Sequence, residues 1–246
     1  MKLKTNIRLF ISPYFLARRI ILKDLADVLD KHDLGKNVLD FGCGDKPYAN
    51  LFAKKGIKYV GIDFQAHSVN KDFSGQHPDV YFGKDYLNDF KMDFDDDSFD
   101  SVVSFQVLEH HKNPQYMIGE IARITKSGGF LLITCPFLGG LHEEPYDYQR
   151  LTKYGLREIL KRNNYEIVKF KKQGSIFSTI SMLLNEYLNA IAAKDRLHYY
   201  LAATIYPPFL IFQYIALILD LIFKSDTIFF NQIILAKKID DIYVKT

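Results

Sequence analysis

Cysteine, glycine and proline are scarce in this chain of 246 residues. Its two cysteines, Cys43 and Cys135, are too few for a disulfide scaffold or for a zinc site built from thiolates. With only 14 glycines and 8 prolines, the composition excludes collagen-like and low-complexity chains. The net charge is only +3, which makes no general case for nucleic-acid binding. We therefore expect a globular protein of a reducing compartment, with no nucleic-acid partner.

Apolar residues, by contrast, make up 48% of the chain and aromatic residues 15%. This is enough for the core of one large α/β domain that spans 1–246. The segment 1–33 is predicted to be helical from Ser12-Pro13 onward, since Pro is favoured at the first helical position. Arg18-Arg19 interrupts any apolar run, so we expect no signal peptide and a cytoplasmic protein. Residues 1–23 contain no acid and six basic residues: Lys2, Lys4, Arg8, Arg18, Arg19 and Lys23.

Short apolar strands alternate with helices between residues 37 and 172. This alternation predicts a doubly wound α/β fold, in which helices cover both faces of a parallel sheet. The predicted strands are 38–41, 57–62, 80–83, 99–105, 130–135 and 165–170, and the helices are 47–55, 114–126 (closed by Gly128-Gly129) and 152–162. A hydrophobic helical insertion, 174–226, then precedes one closing strand at 229–236.

The first strand runs directly into the glycine turn of Val38-Leu39-Asp40-Phe41-Gly42-Cys43-Gly44-Asp45. Glycine removes the Cβ atoms that would keep a ligand off the backbone, and the helix that follows offers unpaired N–H groups. Asp63 ends the next strand, where a carboxylate can accept hydrogen bonds from the hydroxyls of a ribose. Asp40 would repel a pyrophosphate but suits a cationic ligand. The plainer alternatives are a simple strand–helix turn and a surface acid.

Five ordered blocks together resemble the class I S-adenosylmethionine-dependent methyltransferases, and in particular the type 11-like ones. They are VLDFGCG (38–44), GID (61–63), SFDSVVSFQVLEH (98–110), the helix with Glu120 and Arg123, and KSGGFLLITCPF (126–137). The resemblance covers about 34–172 and 229–238. It implies a Rossmann-like sheet of seven strands with an antiparallel last strand, S-adenosylmethionine as the cofactor, and no metal.

The same resemblance implies roles for individual residues. Asp40, Gly42 and Gly44 are expected along the methionine end of the cofactor, and Asp63 at the ribose. Asp85, or alternatively Asn88, is expected near the adenine, and Gln106 is also expected among the cofactor-binding residues.

A second polar block follows the fifth strand, at the sheet edge where such folds bind ligands. Its pattern, His-Glu-x-Pro-x-Asp-Tyr-x-Arg-x-Thr over 142–152, resembles a subgroup of bacterial methyltransferases often associated with surface-polysaccharide synthesis. A glycan or lipid-linked acceptor is therefore expected to contact Glu143, Asp147, Tyr148 and Arg150. Alternatively, Asp147–Arg150 and His142–Glu144 pairs merely stabilise the loop.

Two histidines are candidates for the catalytic base, because an attacking hydroxyl must lose its proton and histidine titrates in a suitable range. They are His110, after the fourth strand, and His142, in the second polar block. The alternative is that His110 orders its loop and His111 is solvated. Asp93, Asp95 and Asp97 imitate the start of a calcium loop but lack its glycine and final glutamate, so no metal site is predicted.

The insertion contains two apolar segments. Residues 176–191 have an apolar helical stripe, with serines and asparagines on another side. Pro207-Pro208 is predicted to end one helix and to start another over 209–223. The uncharged run 197–219 reaches membrane-spanning length, but the closing strand must return to the sheet. We expect an interfacial or re-entrant hairpin on the inner face of the cytoplasmic membrane; the alternatives are a lid over the substrate or a dimer surface.

Together these features predict an S-adenosylmethionine-dependent methyltransferase that acts on oxygen of a glycan or lipid-linked acceptor. A lipid or quinone acceptor is the alternative enzyme function. A catalytically silent cofactor-binding adaptor at the membrane is the alternative from another class. The oligomeric state stays open.

Overall fold

A computed structural model describes residues 15–64, 76–82 and 90–240, with the side chains of residues 202 and 203 left aside. The chain divides into two compact units. The helical unit comprises Met1–Leu25, Phe137–Gly140 and Lys172–Gln232. The α/β unit comprises Ala26–Pro136, Leu141–Lys171 and Ile233–Thr246. The predicted start of the first helix at Ser12-Pro13 lies outside the described residues.

A mixed seven-stranded sheet, in the order β3-β2-β1-β4-β5-β7-β6, is the framework of the fold. The pairs β1–β2, β1–β4, β2–β3 and β4–β5 are parallel. The last strand of the chain, β7, lies between β5 and β6, and the mixed sheet with its antiparallel last strand confirms the predicted fold class. The strands are β1 Asn37–Phe41, β2 Lys58–Phe64, β3 Val80–Phe82, β4 Phe99–Phe105, β5 Thr125–Pro136, β6 Tyr165–Gln173 and β7 Asn231–Lys238.

The helices in the first two-thirds of the chain are α1 Phe15–Lys31, α2 Ala49–Ala53, α3 Pro114–Ile124 and α4 Lys153–Arg162. The predicted N-cap of α4 is confirmed, since the Thr152 hydroxyl accepts a hydrogen bond from the Gly155 N–H at 3.2 Å. Helix α3 likewise starts with Pro at its first turn, capped by the Asn113 side chain. Both starts follow from local sequence chemistry.

The predicted end of α3 at Gly128-Gly129 is wrong. The helix ends at Ile124, and both glycines lie in β5. A Cβ on Gly129 would lie 2.3 Å from the carbonyl oxygen of Asp100. Gly129 is therefore needed for the close approach of β5 to the start of β4, and not for capping a helix.

The core of the α/β unit is apolar, as the uninterrupted apolar strands predict. Its largest cluster combines strand residues with the inner faces of α3 and α4. Leu39 and Phe41 of β1, and Val102 of β4, are completely buried. Strands buried on both faces are typical of parallel sheets covered by helices. Because the faces of the sheet are covered, a ligand can reach it only at the ends of the strands.

Two helices, α5 Ile176–Ala192 and α6 Arg196–Ile222, form most of the helical unit. The prediction that Pro207-Pro208 separates two helices is wrong, because α6 continues through both prolines. Proline removes a backbone donor and crowds the preceding turn. Packing of α6 against α5 outweighs that cost. The continuous helix has 27 residues, about 40 Å at 1.5 Å per residue.

The helical unit has its polar residues inside. Asp220 of α6 accepts hydrogen bonds from the N–H groups of Phe177 and Ser178, at 2.8 and 3.1 Å, and so caps α5. The Tyr206 hydroxyl donates to the Asn185 side chain at 3.0 Å. The polar side chains of α5 and α6 that are buried are Ser178, Thr179, Ser181, Asn185 and Gln213. Polar groups therefore take part in the contact between the two helices, beside the buried apolar residues Leu188, Phe209 and Ala216.

The outward faces of the same two helices are apolar. Leu221 is 84% exposed and Ile211 is 63% exposed. Other exposed apolar or aromatic residues of the two helices include Ile180, Leu183, Leu184, Tyr187, Leu197, Tyr199, Tyr200, Leu201, Ile205, Tyr214, Ile215, Ile218 and Ile222. Thr204–Ile222 is long and apolar enough, by length and mean hydropathy (1.8), to span a membrane. The length of α6 is therefore compatible with a membrane span. Against a single crossing, β7 returns the chain to the sheet.

Candidate cofactor and acceptor site

The glycine turn after β1 is held by backbone hydrogen bonds from the N–H groups of Gly42 and Cys43 to the Ile62 carbonyl, at 2.9 and 3.0 Å. Both glycines have positive φ angles, 72° at Gly42 and 51° at Gly44. A Cβ on Gly42 would lie 2.4 Å from Val107 Cγ2, whereas one on Gly44 would meet nothing within 4 Å. Gly42 is thus required by packing, and Gly44 borders open space where a ligand can approach the backbone.

Asp63 lies at the end of β2 and its side chain points back at the glycine turn. It is only 1% exposed, so the alternative that it is a surface acid is wrong. One carboxylate oxygen accepts from the Gly44 N–H at 2.9 Å, and the other from the Phe64 N–H at 2.7 Å. The backbone fixes this carboxylate beside the turn that was predicted to contact the cofactor.

Asp40 is buried at the end of β1 and accepts a hydrogen bond from the Tyr59 hydroxyl. Its other oxygen, Oδ1, has no hydrogen-bond partner. Burial is the largest influence and raises the Asp40 pKa to about 8; the Tyr59 bond opposes it, nearby Asp63 adds to it, and Lys46 opposes it. A buried carboxylate with an unpaired oxygen fits a cationic group such as a sulfonium or ammonium. The residues present therefore fit S-adenosylmethionine.

Lys46 and Asp79 also belong to this region, and neither was predicted from the sequence. Lys46 Nζ lies 2.6 Å from Asp79 Oδ1, and the Gly61 N–H donates to the other Asp79 oxygen at 2.7 Å. Although burial acts to raise the Asp79 pKa, these two partners lower it. The two residues are far apart in sequence, and no local motif marks the pair.

Gln106 follows β4 with a positive φ of 58°. Its side-chain amide donates to the Thr134 hydroxyl at 3.0 Å, and its N–H donates to the Thr134 carbonyl at 2.9 Å. The structure therefore anchors Gln106 to the end of β5, at the edge where the loops lie. Its predicted role toward the cofactor stays a prediction, and Asp85, predicted near the adenine, lies outside the described residues.

The second polar block is centred on Asp147, whose carboxylate is almost fully buried. It accepts from both terminal nitrogens of Arg150, one of them at 2.7 Å, and from the His142 N–H at 3.1 Å. Burial acts to raise the Asp147 pKa, but the Arg150 and His142 hydrogen bonds lower it. The Asp147–Arg150 pair of the plainer alternative is present, and His142 pairs with Asp147 rather than Glu144.

Glu143 and Tyr148 have different surroundings from Asp147. Both are exposed, and Glu143 has a positive φ of 52°. The Tyr148 ring lies 5.6 Å from Lys112 Nζ, and the Tyr148 N–H donates to the Glu109 carbonyl at 2.9 Å. Of the four predicted acceptor residues, Asp147 and Arg150 therefore form the internal pair of the loop, and Glu143 and Tyr148 present surface groups.

The structure brings His110 and His142 together, 32 residues apart in sequence, with their ring centroids 4.8 Å from each other. His110 Nδ1 lies 2.8 Å from the Tyr146 carbonyl oxygen, and His142 Nδ1 lies 3.3 Å from Asp147 Oδ2. His111, which the plainer alternative placed in solvent, is instead buried and accepts from the Asn113 N–H at 3.0 Å.

Glu109 lies between the two histidines and was not predicted as a site residue. Its carboxylate is 3.9 Å from His110 Nε2 and 3.7 Å from His142 Nε2. It is 2% exposed, and neither oxygen has a hydrogen-bond partner among the described residues. The only sequence signal was its place beside His110 in the block SFQVLEH.

Comparison with known proteins agrees with this fold. The family described as "Methyltransferase domain" matches residues 14–169. A Mycolicibacterium smegmatis protein named as an S-adenosylmethionine-dependent methyltransferase is 28% identical over 139 residues, which cover 54% of this chain and 53% of that protein. A Paracidovorax citrulli ubiquinone biosynthesis O-methyltransferase is 29% identical over 104 residues, 41% of this chain and 43% of that protein.

A solved structure described as a methyltransferase, from Bacillus halodurans C-125, superposes with a TM-score of 0.53 at 18% identity. The match covers 89% of this chain and all of that chain, and it supports the fold alone. The chain spans about half the length of the curated relatives it matches. This chain belongs to the methyltransferase-domain family, and its class is that of the enzymes that use S-adenosylmethionine as the cofactor.

Proposed function

We propose that this protein transfers a methyl group from S-adenosylmethionine to a hydroxyl of a glycan or lipid-linked acceptor. The observation that carries the proposal is that polar residues lie at or just after the ends of the parallel strands β1, β2, β4 and β5. The carboxyl ends of parallel strands share one sheet edge, where ligands of such folds bind. Gly44 follows β1 and Asp63 lies at the end of β2, whereas His110 follows β4 and His142 follows β5.

The chain's own residues have separate tasks in this proposal. Bound S-adenosylmethionine supplies a methyl group made electrophilic by its sulfonium centre. Asp63 would hold the ribose, and Gly42 and Gly44 would lie along the methionine end. Asp40 would face cationic charge, which favours its carboxylate and opposes the effect of burial on its pKa. Alignment of the donor with the hydroxyl then contributes much of the acceleration.

His142 is the first candidate to take the proton of the attacking hydroxyl. It is partly exposed, and the Asp147 carboxylate, 3.3 Å from Nδ1, orients the ring. His110 is the second candidate, since its Nδ1 is held by the Tyr146 carbonyl. We propose that Glu143 and Tyr148 contact the acceptor directly, and that Asp147 and Arg150 shape the loop that binds it.

A lipid or quinone acceptor is the alternative that the Paracidovorax citrulli relative favours by its name. The alternative outside enzymes is a cofactor-binding adaptor without activity. Purified protein would be given S-adenosylmethionine tritiated on the methyl group, together with aqueous and organic fractions of a bacterial envelope. We expect label in an alkali-stable methyl ether of a glycan or of a lipid-linked glycan.

The control for this transfer assay is Asp63→Ala, which should reduce labelling at a limiting cofactor concentration. Label in a quinone or simple lipid would support the alternative acceptor. Binding of S-adenosylhomocysteine with no transfer into any fraction would overturn the enzyme and favour the adaptor.

We further propose that the helical unit attaches the protein to the inner face of the cytoplasmic membrane. The supporting observation is that α5 and α6 bury polar side chains against each other and expose apolar ones. Burying a large apolar side chain stabilises by about 1.5–3 kcal/mol, so several such residues bind a bilayer interface firmly. Arg18, Arg19 and Lys23 of the same unit are exposed, and each basic residue near anionic lipid adds about 1 kcal/mol.

Co-sedimentation with anionic vesicles tests the attachment. We expect most of the protein to stay bound in about 1 M salt, where charges are screened beyond ~3 Å. The double variant Ile211→Gln/Leu221→Gln should bind roughly 100-fold more weakly, on the same burial scale. The matched control is Tyr154→Gln/Val168→Gln, two exposed positions of the α/β unit, which should leave binding unchanged. A protein that ignores vesicles and forms a stable dimer would instead support the dimer surface.

A further inference from the structure

We propose that Glu109, His110 and His142 bind one divalent transition-metal ion, of the kind that takes two imidazoles and one carboxylate. One potential ligand atom from each residue lies within 4.8 Å of the others. All three residues belong to the α/β unit. Glu109 and His110 lie in the 3-10 helix after β4, and His142 lies in the loop after β5.

The Glu109 carboxylate is the strongest reason to expect an ion. Its two oxygens are buried with no hydrogen-bond partner, and the histidine nitrogens at 3.7 and 3.9 Å are beyond hydrogen-bond distance. A buried carboxylate without compensation is costly, so such groups are paired or coordinate metals. A cation held by the two histidines would supply that compensation.

Both imidazoles are oriented as metal ligands usually are. The Tyr146 carbonyl can only accept a hydrogen bond, so His110 Nδ1, at 2.8 Å, carries the proton and neutral His110 has its lone pair on Nε2. Asp147 Oδ2 is 3.3 Å from His142 Nδ1 and favours the same tautomer there. Ligating histidines typically pass their other N–H to a carbonyl or a carboxylate in this way.

The spacing fits a small ion after a modest adjustment. Bonds of about 2.1 Å in a tetrahedral arrangement separate the donor atoms by about 3.4 Å, and the Glu109–His142 separation is 3.7 Å. Two histidines and one glutamate suit Zn²⁺ or Fe²⁺, whereas Mg²⁺ and Ca²⁺ prefer oxygen ligands. Three protein ligands would also leave a position for a water or a hydroxyl.

The binding itself rests on these residues alone, and only its catalytic consequence rests on the proposed function. With an ion bound, His110 and His142 would act as ligands and not as proton acceptors. The ion would lower the pKa of a coordinated acceptor hydroxyl, whose proton then passes to solvent. Asp147 would be a positioning residue that acts through His142.

Untagged protein, first dialysed against a chelator, would be titrated with Zn²⁺ by calorimetry and with Co²⁺ by visible absorption. We expect one tight site per chain and the absorption of Co²⁺ with nitrogen ligands. Glu109→Gln and His142→Gln should weaken binding by more than about 100-fold, and Asp147→Asn by about 10–100-fold. The matched controls Glu144→Gln, in the same loop, and His198→Gln, in the helical unit, should bind as the unaltered protein does.

S-adenosylhomocysteine affinity, measured on every variant, reports whether the α/β unit is folded. Absence of a Zn²⁺, Co²⁺ or Fe²⁺ site in the unaltered protein would overturn the proposal, whatever the variants do. Equal binding by folded Glu109→Gln would overturn the assignment to these residues. Ion binding without methyl transfer would reject the proposed function and keep the metal site. Methyl transfer that resists a chelator, with no ion bound, would reject the metal site and keep the proposed function.

Discussion

The two units of this protein differ in the share of apolar side chains that they bury, although the helical unit also has a small buried apolar cluster. In the α/β unit, apolar strands and helix faces form the buried cluster, as in ordinary globular proteins. In the helical unit, Ser178, Asn185 and Gln213 are buried, while Ile211 and Leu221 face outward. An amphipathic stripe therefore indicates a helix but does not indicate which face is inside. A helix pair can bury polar side chains when its outer apolar face binds another apolar surface, such as a membrane or a protein.

The polar groups of the two units also differ in what they do. Asp220 and Asn185 in the helical unit are engaged in helix-to-helix hydrogen bonds. Among the described residues, the buried atoms without a hydrogen-bond partner include carboxylate oxygens of Asp40 and Glu109 in the α/β unit, but in the helical unit only neutral amide atoms, such as those of Asn185 and Gln213. Such incomplete pairing is destabilising by itself and is typical of functional sites. If the comparison is correct, substitutions in the α/β unit affect chemistry, and substitutions on the helical surface affect attachment.

The largest expected effect is on turnover. His142→Ala should lower turnover by about 10²–10⁴-fold, the usual contribution of a proton-transfer group, and should leave S-adenosylhomocysteine affinity unchanged. Steady-state transfer of labelled methyl groups measures turnover, and calorimetry measures the affinity for S-adenosylhomocysteine. His198→Ala, in the helical unit, is the control and should keep full turnover. Full activity of both His142→Ala and His110→Ala would remove histidine from the chemistry.

Stability should distinguish the two kinds of apolar residue. Ile118→Ala, in the buried cluster, should lower the free energy of unfolding by about 2–5 kcal/mol through lost contacts and a cavity. Leu221→Ala, on the outward face of α6, should change it by no more than about 0.5 kcal/mol in the absence of lipid. Urea denaturation followed by circular dichroism measures both. A large loss for Leu221→Ala would indicate that another protein surface already covers this face in solution.

Cofactor affinity should depend on Asp63. Replacing it with alanine removes a charge that accepts hydrogen bonds, so S-adenosylhomocysteine should bind about 1–3 kcal/mol more weakly. Asp63→Asn keeps the shape and serves as the second variant, because the carboxylate also accepts from Gly44 and Phe64. Asp226→Ala in the helical unit is the control for calorimetry. Unchanged affinity in folded Asp63→Ala would contradict the assignment of the ribose site.

The pH dependence of stability should report on the buried carboxyl group of Asp40. Because burial raises its pKa from 3.8 to about 8, the folded state holds this proton more tightly than the unfolded chain does. The resulting stability is complete below about pH 4 and is lost as the pH rises through about 8. Asparagine is neutral throughout, so Asp40→Asn should lose less stability than the unaltered protein between pH 5 and pH 8. Urea denaturation midpoints at pH 5 and pH 8, measured without cofactor, give the loss of stability for each protein. An equal loss in both proteins would contradict the raised pKa of Asp40.

Sequence reasoning succeeded where short-range chemistry decides the outcome. The strand at 99–105 and the cap at Thr152 were predicted correctly. The alternation of strands and helices also predicted the doubly wound α/β fold, and the resemblance to class I methyltransferases implied the seven-stranded sheet with its antiparallel last strand. Sequence reasoning failed at Gly128-Gly129 and at Pro207-Pro208. Both pairs have the usual chemistry of helix ends, but close strand approach and helix packing decided their conformation.

The candidate site divides in the same way. The glycine turn and Asp63 could be located from the sequence, because a strand end and a turn are local features and the ordered blocks gave their context. The importance of Glu109 could not be foreseen, since its role depends on His142, 33 residues later. The Lys46–Asp79 pair also joins residues from separate loops. Neighbours of this kind exist only after the strands have paired.

The sequence by itself determined the order of the strands and of the helices in the α/β unit, the glycine turn after β1, and the apolar, helical character of the insertion. These depend on backbone preference and on the period of apolar residues, which act over a few neighbouring positions. Only the tertiary structure decided that Asp40 and Glu109 are buried, that Glu109, His110 and His142 converge, and that α5 and α6 bury several of their polar side chains. The physical reason is that burial and pairing energies depend on contacts between distant segments, and these contacts exist only in the folded chain.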